Sequence, residues 1–108
     1  MIYQRKALSA GAIERFGLLR EIGERIEAGR VLEAAEIATS PKVKEPDLRR
    51  FMPKVLVHAG YYRMTGSEQR VQTLISAFHL REEDVVGEAS KQADSRLSAT
   101  QYKVHYDP

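Results

Sequence analysis

The feature that most constrains the fold of this chain is a regular apolar spacing within the stretch EPDLRRFMPKVLVHAGYYRMTG, residues 45–66. Apolar side chains recur there at positions i, i+3, i+4, i+7, i+8 and i+11, which places them on one face of an α-helix. Pro46 fits the first turn of that helix, and Asp47 suits the positive end of its dipole. The pattern predicts a helix over residues 48–59 whose buried face comprises Leu48, Phe51, Met52, Val55, Leu56 and Ala59.

Pro53 lies inside this periodic segment, on the side opposite the apolar residues. A proline removes one backbone hydrogen bond and costs about 3 kcal/mol in a straight helix interior. On the solvent side, however, it bends a helix around its core. We therefore expect a kinked helix more than a broken one, with an outer face that carries Arg49, Arg50 and Lys54.

Two helices are predicted upstream of this segment. The first is expected from about Ser9, a potential cap, to Ala28, just before Gly29. Its apolar face comprises Ile13, Phe16, Leu19, Ile22 and Ile26. The second is shorter and covers residues 31–38, VLEAAEIA. Its inward side chains are expected to be Leu32, Ala35 and either Ile37 or Ala38.

The sequence that follows the periodic segment carries the signals of a β-hairpin. Gly60 suits the end of a helix, and residues 61–64 (YYRM) have strand propensity ahead of a turn at residues 65–67. This predicts a helix that ends at Gly60 and runs into a short strand.

Residues 70–75 fit two structures. As a returning strand they would place Val71, Thr73 and Ile75 on one face. As a helix they would bury Val71, Leu74, Ile75 and Phe78. We favour the strand, followed by a helix over about residues 76–89.

Length and composition predict one globular domain. The chain has 108 residues, of which 43% are hydrophobic and 30% charged, so it can form a single modest core. Residues 1–90 are expected to form this domain. Residues 91–108 are polar and weakly periodic, which predicts a flexible tail or an arm that orders on a protein partner.

Residue usage favours a cytoplasmic protein without membrane contact. The chain has no cysteine, which excludes disulfides and thiolate metal sites. It also lacks the run of about 20 apolar residues that a membrane span requires. Cytoplasm is therefore the expected compartment.

Residues that could perform catalysis or bind a metal are scattered. His58, His79 and His105 stand far apart, without the spacing of a metal-binding pair. The acidic run at residues 82–84 is typical of a solvated first helical turn. We therefore expect no enzyme activity, no catalytic residue, no cofactor and no metal.

Positive charge is concentrated in one part of the chain. The net charge of the chain is +2, whereas residues 39–70 carry +4. Such a local excess attracts polyanions over about 8 Å at physiological salt. The charge distribution therefore indicates a nucleic-acid partner.

The order helix, short helix, turn, helix and Gly-aromatic strand resembles the winged helix-turn-helix DNA-binding domains of bacterial and phage regulators. VLEAAEIA is similar to their first motif helix, and DLRRFMPKVLVHAGYYRMTG is similar to their recognition helix as it enters the wing. The matching positions are Leu48, Phe51, Val55, Leu56, Ala59, Gly60 and Tyr61. The resemblance spans residues 31–75 and implies a mainly α fold with a short β-hairpin.

The resemblance also implies a function. The chain would bind double-stranded DNA as a homodimer and regulate transcription by occupying its site. Arg49 and Arg50 would contact base edges, with Lys54 one turn further along. The residues expected to contact phosphates are Lys42, Lys44, Arg63 and Arg70.

A second interpretation needs no nucleic acid. Arginine and lysine on the outer face of an amphipathic helix are commonly solvated charge only. The chain would then be a small helical adaptor that binds another protein. A two-stranded wing over residues 61–76 would favour the regulator, and a continuous helix there would favour the adaptor.

Overall fold

A computed structural model describes the backbone of residues 9–106 and the side chains of residues 9–96. The helices are α1 (Ala10–Glu27), α2 (Val31–Ala38), α3 (Glu45–Leu48), α4 (Met52–Met64), α5 (Glu68–Phe78) and α6 (Glu82–Tyr106), with a 3-10 turn at Arg49–Phe51. No residue from 9 to 106 lies in a β-strand. The fold is all-helical, so the predicted β-hairpin, and with it the winged helix-turn-helix fold, is wrong.

Helix α1 begins and ends where its sequence predicts. The Ser9 hydroxyl oxygen accepts a hydrogen bond from the Ala12 N–H at 3.1 Å and so caps the helix. At the other end Gly29 adopts a positive φ of 79°, which glycine tolerates without strain. The predicted apolar stripe divides into two parts: Leu19, Ile22 and Ile26 are buried, whereas Ile13 and Phe16 remain 58% and 47% exposed.

Helix α2 has the predicted bounds and lies between α1 and α5. Its buried side chains are mostly small, which lets the neighbouring helices approach closely: Val31, Ala34, Ala35 and Ala38. Of the expected inward residues, Leu32 and Ile37 are only partly buried.

The segment around Pro53 is interrupted rather than kinked. Helix α3 ends at Leu48, the chain tightens into the 3-10 turn, and Pro53 is the second residue of α4. Proline has no N–H for the Arg49 carbonyl, which accepts instead from the Met52 N–H. A proline is well tolerated in the first turn of a helix, so α4 restarts here at little cost.

Gly60 does not end a helix, and the predicted strand at residues 61–64 is wrong because α4 continues to Met64. Gly60 is buried where α4 packs against α6. A Cβ atom at Gly60 would lie 2.6 Å from the Glu88 Cγ and 3.1 Å from the Ala89 backbone nitrogen. The glycine is therefore needed for close helix packing and not for a turn.

The favoured strand at residues 70–75 is also wrong, and the helical alternative is correct. Helix α5 buries Val71, Leu74, Ala77 and Phe78. A strand would have buried Thr73, which is exposed in the helix. Burial of four apolar side chains between α2 and α4 outweighs the local strand propensity.

The predicted helix over residues 76–89 is divided between two elements. Helix α5 ends at Phe78, and His79 adopts the left-handed conformation with a φ of 57°. Helix α6 begins at Glu82 and runs through the predicted tail as far as Tyr106, while residues 107 and 108 lie outside the described part. The flexibility of residues 91–106 stays a prediction.

One hydrophobic core joins α1, α2, α3, α4, α5 and the start of α6. Its largest fully buried side chains are Phe78, Ile22, Leu48, Leu74, Val31, Val55, Val71 and Val85. The first two turns of α1 extend beyond this core. Apolar side chains of this overhang therefore remain exposed beside α3.

Candidate functional site

The seven cations predicted to contact DNA have different environments. Arg63 is the most constrained, because its guanidinium lies between two carboxylates. Its Nε donates to Glu68 Oε1 at 2.8 Å and its Nη2 to Glu68 Oε2 at 2.5 Å, while Nη1 donates to Glu82. These bonds connect the end of α4 with the starts of α5 and α6. Arg63 is therefore engaged within the fold.

The charges around Arg63 stabilise one another. The hydrogen bonds that Arg63 donates to Glu82 and then to Glu68 raise the pKa of its guanidinium above the ordinary value. In turn, the hydrogen bond from Arg63, assisted by one from Gln72, lowers the pKa of the Glu68 carboxyl. A phosphate would have to displace both carboxylates to reach Arg63.

The three lysines have partners on the surface. Lys42 Nζ lies 3.0 Å from Glu14 Oε1, and Lys54 pairs with Glu27, so both lysines contact α1. Lys44 Nζ donates to the Pro41 carbonyl at 3.1 Å. Exposed pairs of this kind contribute at most about 1 kcal/mol, so these lysines can exchange partners.

Arg70 lies on α5, where its guanidinium stacks on the Tyr62 ring at 5.6 Å from the centroid. Arg49 and Arg50 lie in the 3-10 turn and are exposed. The Arg50 guanidinium stands 5.0 Å from the centroid of the Phe51 ring. Neither Arg49 nor Arg50 forms an ion pair with any side chain between residues 9 and 96.

Two adjoining cavities meet at Arg50. The larger, about 670 Å³, lies between the second half of α1 and the start of α4. Its lining comprises Arg20, Gly23, Glu24, Ile26, Glu27, Ala28, Arg50, Phe51 and Lys54. The smaller, about 440 Å³, is lined by Phe16, Leu19, Pro46, Asp47, Arg49 and Arg50. We call the two cavities together the α1 cleft.

The α1 cleft has an apolar floor and a charged rim. Ile26, Leu19 and Phe51 supply apolar surface, and Phe16 is exposed beside them. Arg20 is exposed and, like Arg49 and Arg50, has no ion pair with a described side chain. Of the acidic residues in the lining, Glu27 pairs with Lys54 and Asp47 lies 3.7 Å from the Arg15 Nε.

The rim therefore has an excess of positive charge. Three guanidiniums in the lining have no ion pair with a described side chain: those of Arg20, Arg49 and Arg50. Among the carboxylates of the lining, only that of Glu24 likewise has no ion pair with a described side chain. Asp47 is further occupied at the start of α3, where its Oδ2 accepts from the Lys44 N–H at 3.0 Å. An anionic group that enters the cleft would find arginine donors already exposed.

The fold thus gathers only some of the predicted residues. Arg49, Arg50 and Lys54 line the α1 cleft. Arg63 lies at the far end of α4 and Arg70 on α5, and Lys42 and Lys44 do not line the cleft. The cleft also contains residues that the sequence analysis did not select, Arg20 and Phe16. Phe16 was assigned to the buried face of the first helix.

Helix lengths carry a signal that could have identified Phe16. The first helix has 18 residues and the second has 8, which correspond to lengths of about 27 Å and about 12 Å. The shorter helix therefore covers less than half of the longer one. Some of the apolar stripe of α1 must find another cover or remain exposed, as Ile13 and Phe16 do.

Metal binding and membrane insertion have no support in the part of the chain that the structure describes. Within it, no three His, Asp or Glu side chains converge as metal ligands. Over the same residues, none of the helices combines the length and the apolar character needed to cross a bilayer.

No protein-family model matches this chain, and comparisons with curated proteins and with solved structures gave no match either. Function must therefore be inferred from the geometry and charge of the α1 cleft.

Proposed function

We propose that this protein is a small helical adaptor that binds another protein through the α1 cleft. One observation carries this proposal: exposed Phe16 lies in the same concave surface as arginines that have no ion pair with a described side chain. Aromatic and arginine side chains dominate the binding energy of protein interfaces, since both bury large contact areas. Residues 61–76 belong to α4 and α5 with a turn between them, and not to one continuous helix. They lack the two-stranded wing of a regulator, which supports the adaptor.

The backbone around Arg49 and Arg50 also favours a protein partner over duplex DNA. A recognition helix inserts its first turns into the major groove. Here α3 has four residues, and both arginines follow it in a 3-10 turn that ends at Phe51.

Site-specific photo-crosslinking in the cells that express the protein tests the proposal. A benzoylphenylalanine at Phe16 lies at the cleft, whereas the same group at Thr73, an exposed position on α5, serves as a matched control. We expect a discrete polypeptide adduct from position 16 only. Nucleic-acid adducts at position 16, or the same adducts from both positions, would overturn the proposal.

Double-stranded DNA binding is the second candidate function. It is favoured by the exposure of Arg49 and Arg50, neither of which pairs with a carboxylate among the described side chains. In this case the protein would act as a homodimeric regulator of transcription. Its affinity for mixed duplex would fall steeply with salt and collapse in an Arg49→Ala, Arg50→Ala double variant. An adaptor would show neither effect in a fluorescence-anisotropy titration.

A cytoplasmic location completes the proposal. The chain has no cysteine and therefore no disulfide, and disulfides are rare in proteins of reducing compartments. Fractionation of the expressing cells would check the compartment, and recovery in the membrane pellet would contradict it.

A further inference from the structure

We infer that the α1 cleft binds an acidic amphipathic helix of another protein. This inference rests on the proposed adaptor function and adds the chemistry of the partner. Three properties of the cleft support it: its helical walls, its apolar floor and the rim guanidiniums, which have no ion pair with a described side chain.

The secondary structure around the cleft favours a helical partner. Its walls are α1 on one side and α3, the 3-10 turn and α4 on the other. A partner strand needs an exposed sheet edge, and the chain has no strand from Ser9 to Tyr106. A groove between two helices accepts the side-chain ridge of a third. Helix-in-groove binding is therefore the mode that fits this surface.

The apolar floor specifies one face of the partner helix. Phe16 is exposed in the cleft, and Phe51 is only partly buried on its opposite wall. Docking an apolar stripe here would remove these side chains from water. Anchors at positions i, i+3, i+4 and i+7 of the partner would form such a stripe.

The rim specifies the charge on the flanks of that stripe. Arg20 projects from α1, and Arg49 and Arg50 project from the opposite wall. Guanidiniums bind carboxylates in a bidentate manner and do so most strongly at a partly desolvated interface. Aspartate or glutamate on both flanks of the apolar stripe would meet these arginines.

The described chain does not supply this occupant itself. Its acidic run at the start of α6 is already engaged, because Glu82 pairs with Arg63 and Glu83 lies 2.5 Å from Arg81. Residues 1–8, MIYQRKAL, contain Arg5 and Lys6 and no acidic residue, so their charge is opposite to that required. The charge pattern thus favours a different protein over a second copy.

Selection from a displayed library tests the inference before the partner is identified. Random peptides of about 15 residues, long enough to form marginal helices, are selected on the wild-type protein. They are counter-selected on an Arg49→Glu, Arg50→Glu variant, both of whose positions are exposed. We expect enrichment of acidic sequences with apolar residues at helical spacing. Enrichment of neutral or basic sequences, or no enrichment, would overturn the inference.

Affinity measurements on the enriched peptide then locate the site. We expect the double charge reversal to weaken binding at least about tenfold, consistent with loss of interfacial charge pairs. Gly23→Leu should weaken it too, since a Cβ at Gly23 already lies 3.4 Å from the Phe51 ring and a longer side chain would enter the cleft. An Arg70→Glu, Lys91→Glu variant carries the same charge change on α5 and α6 and should bind normally.

Three further outcomes are informative. If a scrambled peptide of the same composition binds equally well, attraction is only electrostatic and the inference fails. If crosslinks from position 16 identify a polypeptide that is not acidic, the inference fails while the adaptor function stands. If those crosslinks identify only nucleic acid, both fail.

Discussion

Arg63 and Arg50 are the same side chain in two very different regions of one fold. Arg63 lies where three helices meet, and two carboxylates from α5 and α6 satisfy its guanidinium. Arg50 lies at the edge of the α1 cleft, where its guanidinium stacks on the ring of its neighbour Phe51. An outward-facing arginine therefore either pairs with carboxylates of the same fold or stays free to bind a partner, depending on which helices pack next to it.

The two regions also differ in packing density. At the Arg63 junction α4 and α6 approach so closely that Gly60 has no room for a Cβ atom. At the cleft, Gly23 has room for one and Phe16 remains 47% exposed. A tightly packed junction resists substitution, whereas an open cleft tolerates it. Paired substitutions of the same type should therefore give unequal effects.

The phenylalanines should show the largest difference. Phe78 is fully buried, so Phe78→Ala should lower the free energy of unfolding by about 4 kcal/mol. Phe16→Ala at the cleft should change it by no more than about 0.5 kcal/mol. Urea unfolding followed by circular dichroism measures both. Comparable losses for the two variants would mean that the cleft belongs to the core.

The glycines should change stability in opposite directions. Gly60→Ala places a methyl group against the Glu88 side chain and the Ala89 backbone, and we expect a loss of about 2 kcal/mol from overpacking. Gly87→Ala, whose Cβ meets nothing within 4 Å, should gain up to about 1 kcal/mol from helix propensity. Thermal unfolding of both variants shows whether each substitution raises or lowers stability. A stabilised Gly60→Ala variant would contradict the close approach of α6.

The arginines should differ less. Arg63→Met retains the aliphatic stem but loses hydrogen bonds to Glu68 and Glu82, and we expect a loss of roughly 1–2 kcal/mol. The loss is limited because both carboxylates stay solvated. Arg50→Met should change the free energy of unfolding by no more than about 0.5 kcal/mol. Chemical denaturation of the two variants in parallel tests this, and equal effects would remove the distinction between the regions.

The smallest effect is a pH dependence that belongs to the junction alone. Arg63 lowers the pKa of Glu68 below its ordinary value of 4.5. A lowered folded-state pKa stabilises the protein above that ordinary value, and the stabilisation is lost as the pH falls through the folded pKa. The stability difference between wild type and Arg63→Met should therefore shrink as the pH falls below about 4.5.

Parallel denaturation of wild type, Arg63→Met and Arg50→Met over this range measures that dependence. Arg50→Met should follow the wild-type curve at every pH, because Arg50 has no carboxylate partner among the described side chains. A constant difference between wild type and Arg63→Met would show that Glu68 is not coupled to Arg63.

Local signals predicted the first two helices well. The Ser9 cap, Gly29 and the apolar spacing between them predicted α1 to within a residue at each end, and residues 31–38 form α2 as expected. These elements are determined by side chain–backbone capping and periodicity, both of which act over a few residues. The same signals placed Arg49 and Arg50 correctly on the surface.

The second half was mispredicted because its local signals are ambiguous. Gly60, Tyr61 and Tyr62 suggested a helix end and a strand, yet contact with α6 keeps them helical. Likewise, the apolar spacing of residues 70–75 matched both the two-residue period of a strand and the 3.6-residue period of a helix. Only burial against α2 and α4 selects the helix. The cleft could not be predicted either, since its walls come from segments more than 20 residues apart.

Capping and apolar spacing were sufficient to predict the first two helices and the surface position of Arg49 and Arg50, and the local excess of positive charge follows from composition, because each depends on neighbouring residues. Which cations form ion pairs within the fold, and which surround an open cleft, depends on tertiary packing. Ion pairing and burial depend on the approach of distant helices, as when α6 brings Glu82 to Arg63 while no helix from residues 9–106 covers Phe16. Such distances are set by packing of the whole core.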